Sequence, residues 1–235
     1  MKTRIVLISK KKALAIILLI FLLIVFLYSI KQITINTMNI YDPVYKGKGD
    51  QNEIAFACNV VWGNEYISDM LDILKQHNIK ISYFIGGQWA SKYPELLTEI
   101  YKEGHELGNH GYMHLRHSQL SSEDNKKEIL RTEAVVQKIT GVKTNLFAPP
   151  YGDLNDLVVD AAEALNYRVI MWSIDTIDWN TKDYNKIIER IDKKHHNGAI
   201  ILMHPTKVTI EALPNMIEKL KSYGYKITTV SEVLN

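Results

Sequence analysis

A chain of 235 residues, 46% hydrophobic and 23% charged, is long enough for one good-sized core beyond any targeting segment. Its formal charge of +2 conceals an asymmetry, because from residue 51 onward 20 Lys and Arg face 24 Asp and Glu, a net of −4. The footprint of nucleic-acid binding is missing, and a neutral or sugar-like ligand fits better.

The first segment, 1–12, is a basic tail in which Lys2, Arg4, Lys10, Lys11 and Lys12 crowd together. Residues 13–30, ALAIILLIFLLIVFLYSI, carry no charge and as a helix span roughly 27 Å, close to the hydrocarbon thickness of a bilayer. The basic cluster before them puts the tail in the cytoplasm and everything after the span outside. No small-x-small cleavage site follows, so the segment reads as an uncleaved single-pass anchor in the cell membrane, with the C-terminal domain on the cell-wall side. Residues 31–52 are polar, with Gly and Pro near their end, and read as a linker to a domain over 53–235.

Within that domain, strand-like runs (IAFACNVV, KISYFIG, HELGNH, NLFA, YRVIMWSI, AIILMH, YKITTV) alternate with segments of helical spacing such as YISDMLDILKQH, SSEDNKKEILRTEAVVQKIT, LNDLVVDAAEAL and TIEALPNMIEKLKSYG. About seven β/α units in one domain predict parallel strands in a closed or nearly closed barrel, with chemistry at the carboxyl ends of the strands. Five of those ends carry polar candidates: Asn59; His110 and His114; the PPYG loop; Asp175 with Asp178-Trp179; and His204. Cys58, the only cysteine, lies inside an apolar strand and reads as a small buried hydrophobe.

His110 and His114 are four apart, a spacing that puts two imidazoles on one side of a helix or tight turn as a divalent metal requires. Taken alone the pair is equally compatible with two surface histidines beside Arg116 and His117. His204 closes an apolar run and faces the barrel mouth, and Asp178 is placed to hold its tautomer. An imidazole held that way donates a proton to a leaving group near neutral pH. Asp175 fits either the same role or a cap on the following turn, and Trp179 either a pocket wall or core.

From about residue 53 onward the chain resembles the polysaccharide deacetylase, or NodB-homology, family of carbohydrate esterases (family four). NHGYMH at 110–114 with its preceding Asn, APPYG at 148–152, DTIDW at 175–179 and LMH at 202–204 follow the family's motif order. The resemblance implies a distorted (β/α)7 TIM-like barrel and metal-dependent removal of N-acetyl groups from cell-wall glycan, peptidoglycan or a related N-acetylhexosamine polymer. It makes His110 and His114 ligands of a divalent metal, usually Zn2+, His204 the general acid, and Asp178 its orienter. Pro150, Tyr151, Trp179 and Leu202 then belong to the substrate pocket.

The first motif departs from the pattern. ACNVVWG stands where the family has TFDDG, so Asn59 occupies the place of the catalytic base and Val60 that of a metal-binding aspartate. Ala148 replaces the arginine that steadies the base. Three readings follow: an enzyme in which Glu65 supplies the missing ligand or base, a metal-binding protein of weak turnover, or a glycan-binding pseudo-enzyme; retention of His204, Asp178 and both paired histidines favours a deacetylase-like hydrolase, with the pseudo-enzyme as the alternative. Glu65 equally suits a helix N-terminus, where the dipole favours a carboxylate.

Overall fold

The computed structural model describes residues 10–38 and 42–235, so residues 1–9 of the expected tail and 39–41 of the expected linker lie outside the described residues. The chain divides into two compact units, one up to Asp42 and one over Pro43–Asn235. The first contains helix α1, Lys10–Met38, whose stretch Lys10–Ser29 has mean hydropathy 2.7, long and apolar enough to cross a membrane. The helix does not stop at residue 30. It runs on to Met38, and no Gly or Pro occurs over 31–38 to break it.

The linker also ends earlier than expected, because its second part is paired to the domain. Val44 bridges in parallel to Ile170 and Lys46 antiparallel to Ala199, and the Gly47 N–H donates to the Gly198 carbonyl at 2.7 Å.

The second unit then alternates as the periodicity predicts: β1 Glu53–Val60, α2 Ile67–Gln76, β2 Ser82–Ile85, α3 Gly87–Lys92, α4 Pro94–Lys102, β3 Glu106–Asn109, α5 Ser122–Thr140, β4 Leu146–Phe147, α6 Asp156–Glu163, β5 Arg168–Val169, β6 Ile174–Asp175, α7 Tyr184–Lys194, β7 Ile200–Met203, α8 Lys207–Ser222, β8 Lys226–Thr228 and α9 Val230–Leu234. All eight strands form one parallel sheet in the order β5-β4-β3-β2-β1-β7-β6, with β8 paired to the start of β1. It is a barrel curled around β1 and left unpaired between β5 and β6 among the described residues.

That gap corrects the single strand expected over YRVIMWSI. The run splits into β5 and β6, which lie at opposite ends of the sheet order. Between them the chain bonds to the 43–47 segment, with the Val44 N–H on the Val169 carbonyl and the Met171 N–H on the Val44 carbonyl. Tyr167, Val169, Ile170, Met171 and Ile174 are all buried, so the apolar run continues through the break and hides it from sequence reading.

The alternation along β1 decides what reaches the mouth. Ile54, Phe56, Cys58 and Val60 pack in the large apolar layer with residues of α2 and α8. Ala55 and Ala57 pack in a second cluster with Phe84, Ile200 and, from α9, Val230, Val233 and Leu234. Small side chains suit the narrow interior of a curled sheet, and Asn59 continues that inner row by the two-residue period of a strand. Cys58 is fully buried against Met70, and burial pushes its thiol well up, which leaves it unreactive.

Candidate active site

The loop that follows β3 brings His110 and His114 together by turns rather than along a helix. Gly111 takes φ 69° and His114 itself φ 54°, and a Cβ at Gly111 would lie 2.8 Å from His117 Nε2, so this turn requires glycine. Buried Glu128 on α5 holds the loop, accepting the Tyr112 and Met113 N–H groups on one oxygen at 3.0 and 2.7 Å. Asn109 accepts the Gly111 N–H at 2.9 Å while its own amide donates to the Ile129 carbonyl. The two rings end with centroids 5.1 Å apart.

His110 donates Nδ1–H to the Ala148 carbonyl at 2.7 Å. That bond fixes the tautomer whose Nε2 carries the free lone pair. Burial, followed by the charge of His114, pushes its pKa well down. His114 is lowered to about 4, again mainly by burial, with His204 and His117 adding to it. Both rings are therefore neutral near pH 7, the form a metal ligand takes.

Across the mouth, His204 follows β7 and Asp178 lies in the turn after β6. The His204 ring donates Nδ1–H to Asp178 Oδ1 at 2.8 Å and its backbone N–H to Oδ2 at 2.6 Å. Thr209, buried in the first turn of α8, donates its hydroxyl to the same Oδ2 at 2.6 Å. Asp178 is buried and faces the ring from behind, so His204 presents Nε2 to the pocket. Trp62 stacks on that ring, centroids 5.5 Å apart and planes 10° from parallel. Asp175 lines the pocket and also caps its own turn, accepting the Ile177 N–H at 2.7 Å.

These groups surround one cavity of about 500 Å3. Asn59, Tyr151, Trp179 and Leu202 line it; Tyr151 and Trp179 stand at its rim, 57% and 59% exposed. Pro150 does not reach the cavity and is buried under the Gly111 turn. Of the five non-glycine residues with positive φ among the described residues, His114, Tyr151 and Ile177 fall in the loops that build this site, a concentration of backbone strain usual where function depends on a held geometry.

Glu65 sits on the exposed side of the short turn before α2 and does not line the cavity. Its place fits the alternative of a carboxylate at a helix N-terminus better than that of a third ligand. Val60 is fully buried in the layer beneath the helices. Asn59 is 4% exposed, and its buried Oδ1 has no hydrogen-bond partner among the described residues. Ala148 is buried in the inner cluster.

The group implied by the resemblance is a divalent metal. The neutral imidazole pair suits one, yet among the described residues no cluster of three His, Cys, Asp or Glu stands close enough to hold an ion. A catalytic zinc normally takes three protein ligands. The residues present therefore do not fit a complete centre, because the strand end offers an amide and a valine.

Three residues that line the cavity, Trp62, Arg116 and Trp172, and one that braces it from behind, Thr209, escaped sequence reading. Trp62 and Arg116 lie two positions beyond Val60 and His114 respectively and were legible only as neighbours. Thr209 reaches Asp178 through the β7–α8 connection, with no spacing signal at all.

A family model for polysaccharide deacetylase matches residues 46–170. The uncharacterised protein YlxY of Bacillus subtilis is 40% identical over 194 residues, 83% of this chain and 61% of that protein, so this chain spans under two thirds of that relative's length. A peptidoglycan-N-acetylglucosamine deacetylase of Bacillus cereus is 29% identical over 81% of this chain and 71% of its own. The crystal structure of wild-type BA3943 from Bacillus anthracis, described as a CE4 family pseudoenzyme, superposes with TM-score 0.81 at 38% identity, covering 83% of this chain and 69% of that one. A mutant of it, described as having restored enzymatic activity, superposes equally well at 36% identity, over 83% and 71%.

Proposed function

Because the chain belongs to the polysaccharide deacetylase family, we propose that it binds N-acetylated cell-wall glycan in this pocket with its hydrolytic machinery impaired, held at the membrane by α1 with the barrel on the cell-wall side. The observation that carries this reading is the mouth of β1. Asn59 stands in the place of the base, and an amide does not take a proton from water at neutral pH. No third ligand joins His110 and His114 among the described residues. What remains is a binding surface: aromatic faces at Trp62, Tyr151 and Trp179 for the apolar faces of sugar rings, with His204 and the Asn59 amide as hydrogen-bonding groups.

The intact acid half favours a second reading, weak deacetylation. His204, Asp178 and Thr209 keep the arrangement that donates a proton to a leaving amine, which a pure binding module does not need.

Acetate release from N-acetylglucosamine oligomers and from peptidoglycan, measured beside pull-down of the full chain by insoluble peptidoglycan, separates the two. Binding without acetate supports the first reading, and acetate above a His204→Ala control supports the second. Failure to bind any of these glycans overturns both.

A further inference from the structure

Resting on the glycan-binding reading, we infer that Arg116 makes this an acidic-glycan site, selecting strands that carry a carboxylate beside the N-acetyl sugar. Arg116 lines the same cavity as His114 and Tyr151, with its guanidinium 4.8 Å from the Tyr151 ring centroid. Its ion pair, with Asp153, is loose at 3.9 Å, beyond hydrogen-bond length. Asp153 is itself engaged, accepting the Ser118 N–H at 2.8 Å. A planar fork of five donors is thus steered by a ring and a distant carboxylate, and its guanidinium makes no hydrogen bond among the described residues.

The neighbours of Arg116 leave that charge in command of its side of the cavity. The cavity's other fixed charge, Asp175, is tied to its own turn and makes no ion pair with Arg116 among the described residues. A guanidinium at a sugar-sized cavity recognises a carboxylate in two-point geometry. Such a carboxylate belongs either to the lactyl ether of a muramic residue or to a stem peptide.

Binding of the full chain in detergent micelles to three ligands of matched length tests this: neutral N-acetylglucosamine oligomers, peptide-free peptidoglycan strands with a free lactyl carboxylate, and peptide-bearing strands. The wild type is expected to hold an acidic ligand roughly tenfold tighter than the neutral one, by a margin that shrinks as ionic strength rises. Whichever acidic ligand is preferred names the source of the carboxylate. In Arg116→Gln the acidic-to-neutral ratio falls to near one, and in Arg116→Lys it takes an intermediate value. Equal affinities in the wild type, or a ratio that survives Arg116→Gln, overturn the inference while leaving the glycan reading standing. No binding to any of the three overturns the glycan reading and this inference with it.

Discussion

His204 meets Asp178 twice, through its ring Nδ1–H at 2.8 Å and its backbone N–H at 2.6 Å, so one carboxylate fixes both the tautomer of the ring and the course of the chain leaving β7. Thr209 supplies a third bond from α8. The carboxylate is therefore held by one backbone and two side-chain donors from the end of β7 and the start of α8, and its geometry does not depend on a ligand being present.

Asp178→Asn keeps the volume but removes the charge that stabilises a protonated His204. In a variant that releases acetate, the rate is expected to fall by about a hundredfold or more with glycan affinity little changed. An equal fall in affinity would mean that Asp178 shapes the pocket instead.

Restoring the strand-end carboxylates tests how much of the site survives. Asn59→Asp with Val60→Asp is expected to raise acetate release over the parent chain, and an unchanged rate in a folded variant would mean that any chemistry takes another route. The second substitution carries a cost, because Val60 is fully buried among apolar side chains. An unpaired carboxylate there destabilises by roughly 3 kcal/mol or more, so the double variant melts below the parent without added metal. If Zn2+ completes its shell with the new carboxylate, it raises the melting temperature of the double variant more than that of the parent.

Gly111→Ala places a Cβ against His117 and forces alanine into a left-handed turn. A loss of about 1–3 kcal/mol in stability is expected, together with weaker glycan binding as His114 moves. Calorimetric melting and glycan pull-down measure the two effects on one sample.

Stability should fall on acidification through His105. This residue is 5% exposed, accepts the Ile81 N–H on Nδ1 at 3.1 Å and has its pKa lowered to about 4 by burial, with Lys80 adding to the effect and Glu103 opposing it. The unfolded chain binds this proton near pH 6.5 and the folded one near 4, so the contribution is complete above 6.5 and is lost as pH falls towards 4. The loss amounts to at most about 3 kcal/mol. Melting curves of the parent and of His105→Gln between pH 7 and pH 4 should converge as pH falls, and parallel curves would rule His105 out.

Much of this site was legible before the fold was known. His110, His114, Asp178 and His204 announce themselves by spacing and by position after apolar runs, because a strand that ends at a barrel mouth must hand its next side chain to solvent or to a ligand. Asn59 was legible as a strand-end residue for the same reason, and as a departure only through the resemblance to the family's first motif. The split of YRVIMWSI was not, since burial on both sides of the break leaves one unbroken apolar pattern. Nor was the pairing of residues 43–47, which a polar, Gly-containing composition disguises as linker.

Local pattern thus determined the order of strands and helices, the apolar helix at the start and the residue types offered at each strand end, since these depend on periods of two and 3.6 along a continuous chain. Tertiary structure alone decided that Asn59 lines the cavity while Val60 turns to the helix layer, that Thr209 and Glu128 brace the site from α8 and α5, and that Arg116 leans over Tyr151. Those relationships join residues far apart in sequence, and only the curling of the sheet around β1 brings them within bonding distance.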